Sequence, residues 1–304
     1  MEDIVITVLI PAYNASKTIS KTLDSVLKQT YDQSKIKFII IDDGSTDNTL
    51  SILKEFQSLI PDRVQIISRE NKGISQTRNE LLKSVKTNWF IFLDADDLYT
   101  STAFENLVSC VKVDTDIVYA KTVWWKCDTF RRGFLSNNFS KKTSFDKYVR
   151  FNDFGYLWNK LYRTDFIISN KINLDGANAN VFEDLYLNSI ILDKEPNISL
   201  CTKHTYIYHK SKTNISRKKI SADKCSTLIE LLKMLKQKVG KSFFITNLYY
   251  TTLLYFKYFS ENNVFDKACH NLNNVISEEE KKYYVRVALF RNIFYILGKK
   301  YSHI

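Results

Sequence analysis

Three short acidic stretches hold the residue types that could do chemistry. In Asp94-Ala95-Asp96-Asp97 two carboxylates stand at D-x-D spacing. Beyond a strand end they would turn to the same side and offer oxygen ligands to a hard divalent cation, Mn2+ or Mg2+, which also binds phosphate oxygens. Asp42-Asp43-Gly44-Ser45-Thr46-Asp47 suits a strand-ending turn that caps the next helix. The other reading sets the Asp42 carboxylate against the N3–H of a uracil ring, with Tyr13 stacked on the same base. Glu183-Asp184, taken alone, is acidic charge at the start of a helix, where the dipole favours ionised carboxylates.

These residues act together only if the fold brings them together. Ile4–Ile10 reads as a buried strand, and Ile19, Leu23, Val26 and Leu27 share one face of the helix after it. Lys37–Ile41 is a second strand, followed by a helix with Leu50, Leu53 and Phe56 on one side. Val64–Ile67, Trp89–Leu93 and Asp116–Ala120 are further strands, and a helix runs from about Ile74 to Val85. Strands alternating with helices predict an α/β fold, a mostly parallel sheet flanked by helices. Ligands of such sheets bind beyond the carboxyl ends of the strands. Pro11–Asn14, Asp42–Asp47 and Asp94–Asp97 are all placed there, converging on one edge.

From 121 to 220 the pattern loosens. Trp124, Trp125, Trp158, Tyr156 and Tyr162 lie among polar and basic residues, as on a substrate-facing surface. Beyond Ser221 the chain reads helical: Cys225, Leu228, Leu232, Leu235 and Val239 fall at helical spacing. Ser277-Glu278-Glu279-Glu280 has the form of a capping box for a helix ending at Gly298. Phe243–Phe259 reads as a buried core helix, with a membrane-surface helix as the alternative.

The formal net charge of +11 points to an anionic partner: a phosphate-bearing substrate, nucleic acid or an acidic membrane face. A Lys- and Asn-rich genome would give the same excess. The five cysteines are far apart and form no C-x-x-C pair, which disfavours zinc and disulfides and fits a reducing cytosol. Met-Glu-Asp opens the sequence without a basic and then apolar leader, and no run of about 18 apolar residues occurs. The expectation is a cytoplasmic protein, at most peripheral at the inner face of the membrane.

Four segments in order, Pro11-Ala12-Tyr13-Asn14-Ala15, Ile41-Asp42-Asp43-Gly44-Ser45-Thr46-Asp47, Asn71-Lys72-Gly73-Ile74-Ser75 with Thr77-Arg78-Asn79, and Leu93-Asp94-Ala95-Asp96-Asp97, closely resemble family 2 of the glycosyltransferases. The resemblance is specific over residues 4–100. It continues more loosely through Trp158-Asn159-Lys160-Leu161-Tyr162-Arg163 and Glu183-Asp184 to about residue 220. It implies a GT-A fold over 1–220, with a nucleotide-binding half at 1–110, an acceptor half at 111–220, and a helical region at 221–304 outside the match. It further implies a nucleotide-sugar donor, UDP-linked, and a saccharide or lipid-linked saccharide acceptor; nucleic acid is not an expected partner. By the same resemblance Ala12, Tyr13 and Asp42 hold the nucleobase, and Arg78 reaches the base or diphosphate. Asp94 lies near ribose and donor sugar, with Ala95 between it and Asp96, the main metal ligand. Asp184 is the catalytic base of an inverting displacement, ionised because exposed. Trp158 and Asn159 line the acceptor or donor-sugar pocket, and His209, in Tyr208-His209-Lys210, belongs to a loop closing over the diphosphate. Two rivals remain: a sugar nucleotidyltransferase, which would carry a Gly-rich basic loop where Pro11–Asn14 stands, and a non-catalytic carbohydrate- or nucleic-acid-binding protein, which would not need D-x-D and E-D together.

Overall fold

In the computed structural model, which describes residues 3–126, 129–132, 156–175 and 183–210 together with six helical positions between 226 and 237, the β-branched runs become parallel strands. Strand β1 (Ile6–Ala12) is buried along its whole length, and β2 (Ile36–Asp42) is buried at all but one position. Continuous apolar runs of this kind suit strands covered on both faces. Helices α1 (Ile19–Leu27), α2 (Thr49–Leu59) and α3 (Ile74–Ser84) link them to β3 (Val64–Ser68) and β4 (Trp89–Phe92). The expected faces are buried: Ile19, Leu23 and Val26 on α1, and Leu53 and Phe56 on α2, while Leu27 and Leu50 are only half-buried.

After a short β5 (Leu98–Tyr99) and α4 (Ala103–Val108), the chain adds β6 (Ile117–Lys126), β7 (Thr129–Arg132), β8 (Lys160–Arg163), α5 (Thr164–Ser169), α6 (Glu183–Asp193) and β9 (Ile198–Lys210). The described strands form one nine-stranded sheet, ordered β3-β2-β1-β4-β8-β6-β9-β5 with β7 paired to β6. The first four are parallel, as the alternation of strands and helices predicted. β8 then runs antiparallel to both β4 and β6, and β5 antiparallel to β9, so the second half is mixed. No periodicity signalled this, because β8 returns into the middle of the sheet from far along the chain.

The aromatic residues of 156–162 are mostly core, which corrects the substrate-facing reading. Tyr162 is buried and stacks on Phe90 at 5.1 Å between ring centres. Trp158 is buried in a stack with Tyr206 at 4.3 Å and Tyr156 at 4.7 Å. Strand β8 is an internal strand, so its side chains pack on both faces.

The chain divides into two compact units, one of residues 1–141 and 153–214, the other of 142–152 and 215–304. In the second, Ile229 and Leu232 are buried at helical spacing. The Phe243–Phe259 stretch and the Ser277–Glu280 capping box lie outside the described residues. Among the described residues no helix is long and apolar enough to cross a membrane. Cys110 and Cys201 are free thiols, and Cys201 Sγ donates to the Asn106 carbonyl at 3.6 Å.

Candidate active site

The parallel strands deliver their carboxyl ends side by side. Ala12 pairs with Asp42 and Asp42 with Ser68 across adjacent strands. Ala12 is buried, whereas Tyr13, one residue beyond the strand, is 53% exposed. Asp42 is buried, and its Oδ2 accepts from Ser68 Oγ at 3.2 Å, but Oδ1 has no hydrogen-bond partner among the described residues. A buried acceptor without a donor is costly. It marks a place where an incoming N–H would be welcome, next to an open aromatic ring.

The rest of that acidic segment is structural, as the plainer reading held. Asp43 pairs with Arg69 and accepts from the backbone N–H of Lys72 and Gly73, both at 2.9 Å. Gly44 has φ +75°, and a Cβ there would stand 2.7 Å from the Asn71 nitrogen, so the loop needs glycine. Ser45, Thr46 and Asp47 bond to Asn14 and Ser16, tying the loop after β2 to the loop after β1.

The D-x-D segment begins two residues past β4 and is held from three sides. Thr18, just before α1, and Thr22 on it donate to the Ala95 carbonyl at 2.8 and 3.0 Å. The Asp94 N–H reaches Tyr206 Oη at 3.3 Å, and that hydroxyl donates to Asp97 Oδ2 at 2.8 Å. The His209 N–H donates to the other Asp97 oxygen at 2.7 Å. Asp97 is thus a buried bracket between the loop and β9, a role its sequence position did not announce. Its carboxyl is pushed well up by burial and by Asp94 and Asp96. The bracket brings the His209 backbone to the acidic loop.

Asp96 is exposed, and its carboxyl is raised to about 6 by desolvation in the crowded loop and then by the charge of Asp94. Among the described residues no group of three or more His, Cys, Asp or Glu forms a metal cage. Two neighbouring carboxylates with one raised by the other nonetheless fit a Mg2+- or Mn2+-type site, which takes one or two carboxylates and completes its shell with water and phosphate.

Arg78 is not directed outward to a diphosphate. It sits on the inner face of α3 with its side chain 7% exposed, Nη2 on Asp94 Oδ1 at 2.8 Å and Nη1 on Glu183 Oε1 at 2.5 Å. Burial works against its charge, but Asp94 and Glu183 outweigh it and keep the guanidinium protonated. Through this bridge the E-D pair at the start of α6 joins the D-x-D loop in one site.

Asp184 differs from the expectation of an exposed, freely ionised carboxylate. It is half-buried, and burial, then the adjacent Glu183, raise its carboxyl to about 7 against the pull of Arg78. The helix-start amides do not offset this; among the described residues Asp184 accepts only from the Leu185 N–H at 2.9 Å. Trp158 is 3% exposed and backs the site through Tyr206 instead of lining a sugar pocket. Asn159 is buried and accepts from Lys160 Nζ at 2.8 Å.

Comparison with known proteins agrees with this arrangement. Residues 7–172, just over half of the chain, match the family described as Glycosyl transferase family 2. The chain is 27% identical over 286 residues to the cholesterol galactosyltransferase of Borreliella burgdorferi, covering 85% of this chain and 76% of that protein. It is 28% identical over 206 residues to the poly(ribitol-phosphate) beta-N-acetylglucosaminyltransferase TarP of Staphylococcus aureus, covering 66% of this chain and 61%, less than two thirds, of TarP. The structure of S. aureus TarS 1-349 in complex with UDP-GlcNAc superposes with a TM-score of 0.68 at 19% identity, over 91% of this chain and 83% of that one. The fold is GT-A.

Proposed function

The chain belongs to glycosyl transferase family 2, and from that premise we propose that it moves a sugar from a UDP-linked donor to a hydroxyl of a cell-surface glycan or lipid-linked saccharide. The observation that carries this reading is the bridge of Arg78 to Asp94 and Glu183, which joins the D-x-D loop to the E-D pair. Its uridine end is supplied by the unpartnered Asp42 Oδ1 near the open Tyr13 ring. TarS binds UDP-GlcNAc on the same fold. The names of the relatives span a sterol and a poly(ribitol phosphate) acceptor, so the acceptor is proposed only as a class met at the cell envelope. The protein would then work at the cytoplasmic face of the membrane.

Asp184 is the base in this reading. As the acceptor oxygen bonds to the anomeric carbon, the bond from that carbon to the diphosphate breaks on the opposite face. The acceptor proton passes to Asp184, UDP leaves, and the configuration inverts. A base works best with a pKa near the working pH, and a carboxyl raised to about 7 meets that condition where an ordinary aspartate would be a weaker base. A divalent cation held by Asp96 and Asp94 would offset the charge growing on the departing diphosphate. The loops around Asp42 and Asp94 bind and orient the donor, and Asp97 and Tyr206 hold the loop in place.

The test is release of the nucleoside diphosphate from a panel of UDP-, GDP- and CDP-sugars with and without Mn2+. Cation-dependent release from a UDP-sugar alone is the expected outcome. Incorporation of a nucleotide from a nucleoside triphosphate into a sugar phosphate would instead establish the nucleotidyltransferase.

A further inference from the structure

One guanidinium serves two parts of the site that have different work to do. Arg78 stands on α3, which belongs to neither the D-x-D loop nor the E-D helix. It bonds Asp94 through Nη2 and Glu183 through Nη1, and all three side chains are largely enclosed, 7%, 25% and 10% exposed. We propose that Arg78 is a positioning residue that couples donor loading to the catalytic base, by holding the Asp94 loop and the first turn of α6 in one shared ion-paired frame. The inference rests on the reading of Asp94–Asp96 as the donor loop and of Asp184 as the base.

The chemistry of arginine makes the coupling specific. A planar guanidinium can bond two carboxylates in different directions at once, whereas an ammonium is a single point charge on a flexible stem. In an enclosed site neither bond is diluted by water, and loss of one partner leaves charge uncompensated. A cation drawn to Asp94 competes with Arg78 for that carboxylate, and Arg78 then leans on Glu183. The first turn of α6, and with it Asp184, is therefore held most firmly when the donor loop is loaded. The same balance runs in reverse: with Glu183 neutralised, Arg78 leans wholly on Asp94 and opposes the cation. Glu183 so affects a ligand it does not hold.

A double-mutant cycle separates this from plain Coulomb attraction. Mn2+ binding to the full chain in the presence of UDP is followed through the electron paramagnetic resonance of free Mn2+, for wild type, Glu183→Gln, Arg78→Lys and the double variant. Glu183→Gln should weaken Mn2+ about fivefold in the wild-type background and less than about twofold beside Arg78→Lys, a non-additive result of the kind contacting residues give. Equal factors in both backgrounds would mean that Glu183 acts only as a distant charge, and would overturn the proposal. In wild type, amide exchange over residues 183–193 should slow on addition of Mn2+ and UDP; unchanged exchange there also overturns it, whether or not the variants fold. Wild type and Asp96→Ala serve as the control on the underlying reading. If wild type shows no cation-dependent UDP binding, the donor-loop assignment falls and this proposal with it. If that binding is present and lost in Asp96→Ala while the cycle is additive, only the coupling is wrong.

Discussion

Replacing Asp184 by asparagine should make the protein more stable while disabling it. The carboxyl is raised from an ordinary value of 3.8 to about 7, first by burial and then by Glu183. Between those two values the folded protein keeps a proton that the unfolded chain gives up, so stability falls as pH rises through that window. Above pH 7 the full penalty applies. At about 1.36 kcal/mol per pH unit of displacement, it is bounded at about 4 kcal/mol. Water reaches the half-buried side chain, and screening brings the expected gain for Asp184→Asn at pH 8 to about 2 kcal/mol. The gain should shrink toward zero near pH 4, where the aspartate is neutral in the folded protein as well. Urea unfolding of the metal-free protein, followed by fluorescence of the buried Trp89 and Trp158, reads this at both pH values. Transfer should fall about 10²–10⁴-fold, because asparagine cannot accept the acceptor proton. A variant no more stable than wild type at pH 8, or one whose gain persists at pH 4, would refute the electrostatic argument. Near-normal transfer would remove Asp184 from the base role, and its loss in Glu183→Gln alone would move that role to Glu183.

UDP with Mn2+ at a hundredfold excess over Kd should stabilise the wild type by about 2.7 kcal/mol, and Asp96→Ala should abolish the cation-dependent share in a thermal-shift titration. Asp42→Ala removes the waiting acceptor and should weaken UDP by about 1.5–3 kcal/mol in calorimetry, the range for hydrogen bonds to charged groups; an unchanged affinity would exclude Asp42 from the base pocket. Trp158→Ala should cost about 3–5 kcal/mol in urea unfolding, as a truncated core aromatic does, with UDP affinity of the folded protein within about threefold of wild type. A selective loss of UDP binding there would restore Trp158 to the pocket.

The parallel half of the sheet was legible because each of its elements is local. Ile6–Ala12, Ile36–Asp42 and Trp89–Phe92 are apolar runs that end in polar residues, and parallel pairing puts those ends on one edge. Boundaries moved by one or two residues, which brought Pro11 and Ala12 inside β1 instead of after it. What the sequence concealed was every contact made across a long loop. Arg78 meets Glu183 from 105 positions away, and Asp97 meets Tyr206 and His209 from more than a hundred. Hydrophobic spacing carries no record of such pairs. The same blindness made Tyr162, and Trp158 in the turn before its strand, look like a binding surface: an aromatic beside polar neighbours reads the same whether the strand is at an edge or, like β8, between two others.

The acidic character of the site also follows from where its parts come from. Asp94, Glu183 and Asp184 are gathered around one arginine and Asp96 lies beside Asp94, so negative charge is in excess before any ligand arrives. The excess is visible in the carboxyls at about 6 and about 7 on Asp96 and Asp184, raised by desolvation in the crowded loop at Asp96 and by burial at Asp184, and in both then by a neighbouring carboxylate. In a core such crowding would only destabilise the fold. Here it lies beyond the carboxyl edge of the parallel strands, where incoming positive charge can reach it, and the repulsion that weakens the empty protein becomes attraction for a cation. The arginine sets how far this goes. A second cation in its place would quench the site, while loss of Arg78 would leave Asp94 and Glu183 to repel each other and open the gap between donor loop and base. One enclosed guanidinium shared by two carboxylates keeps the parts together while leaving the site short of positive charge.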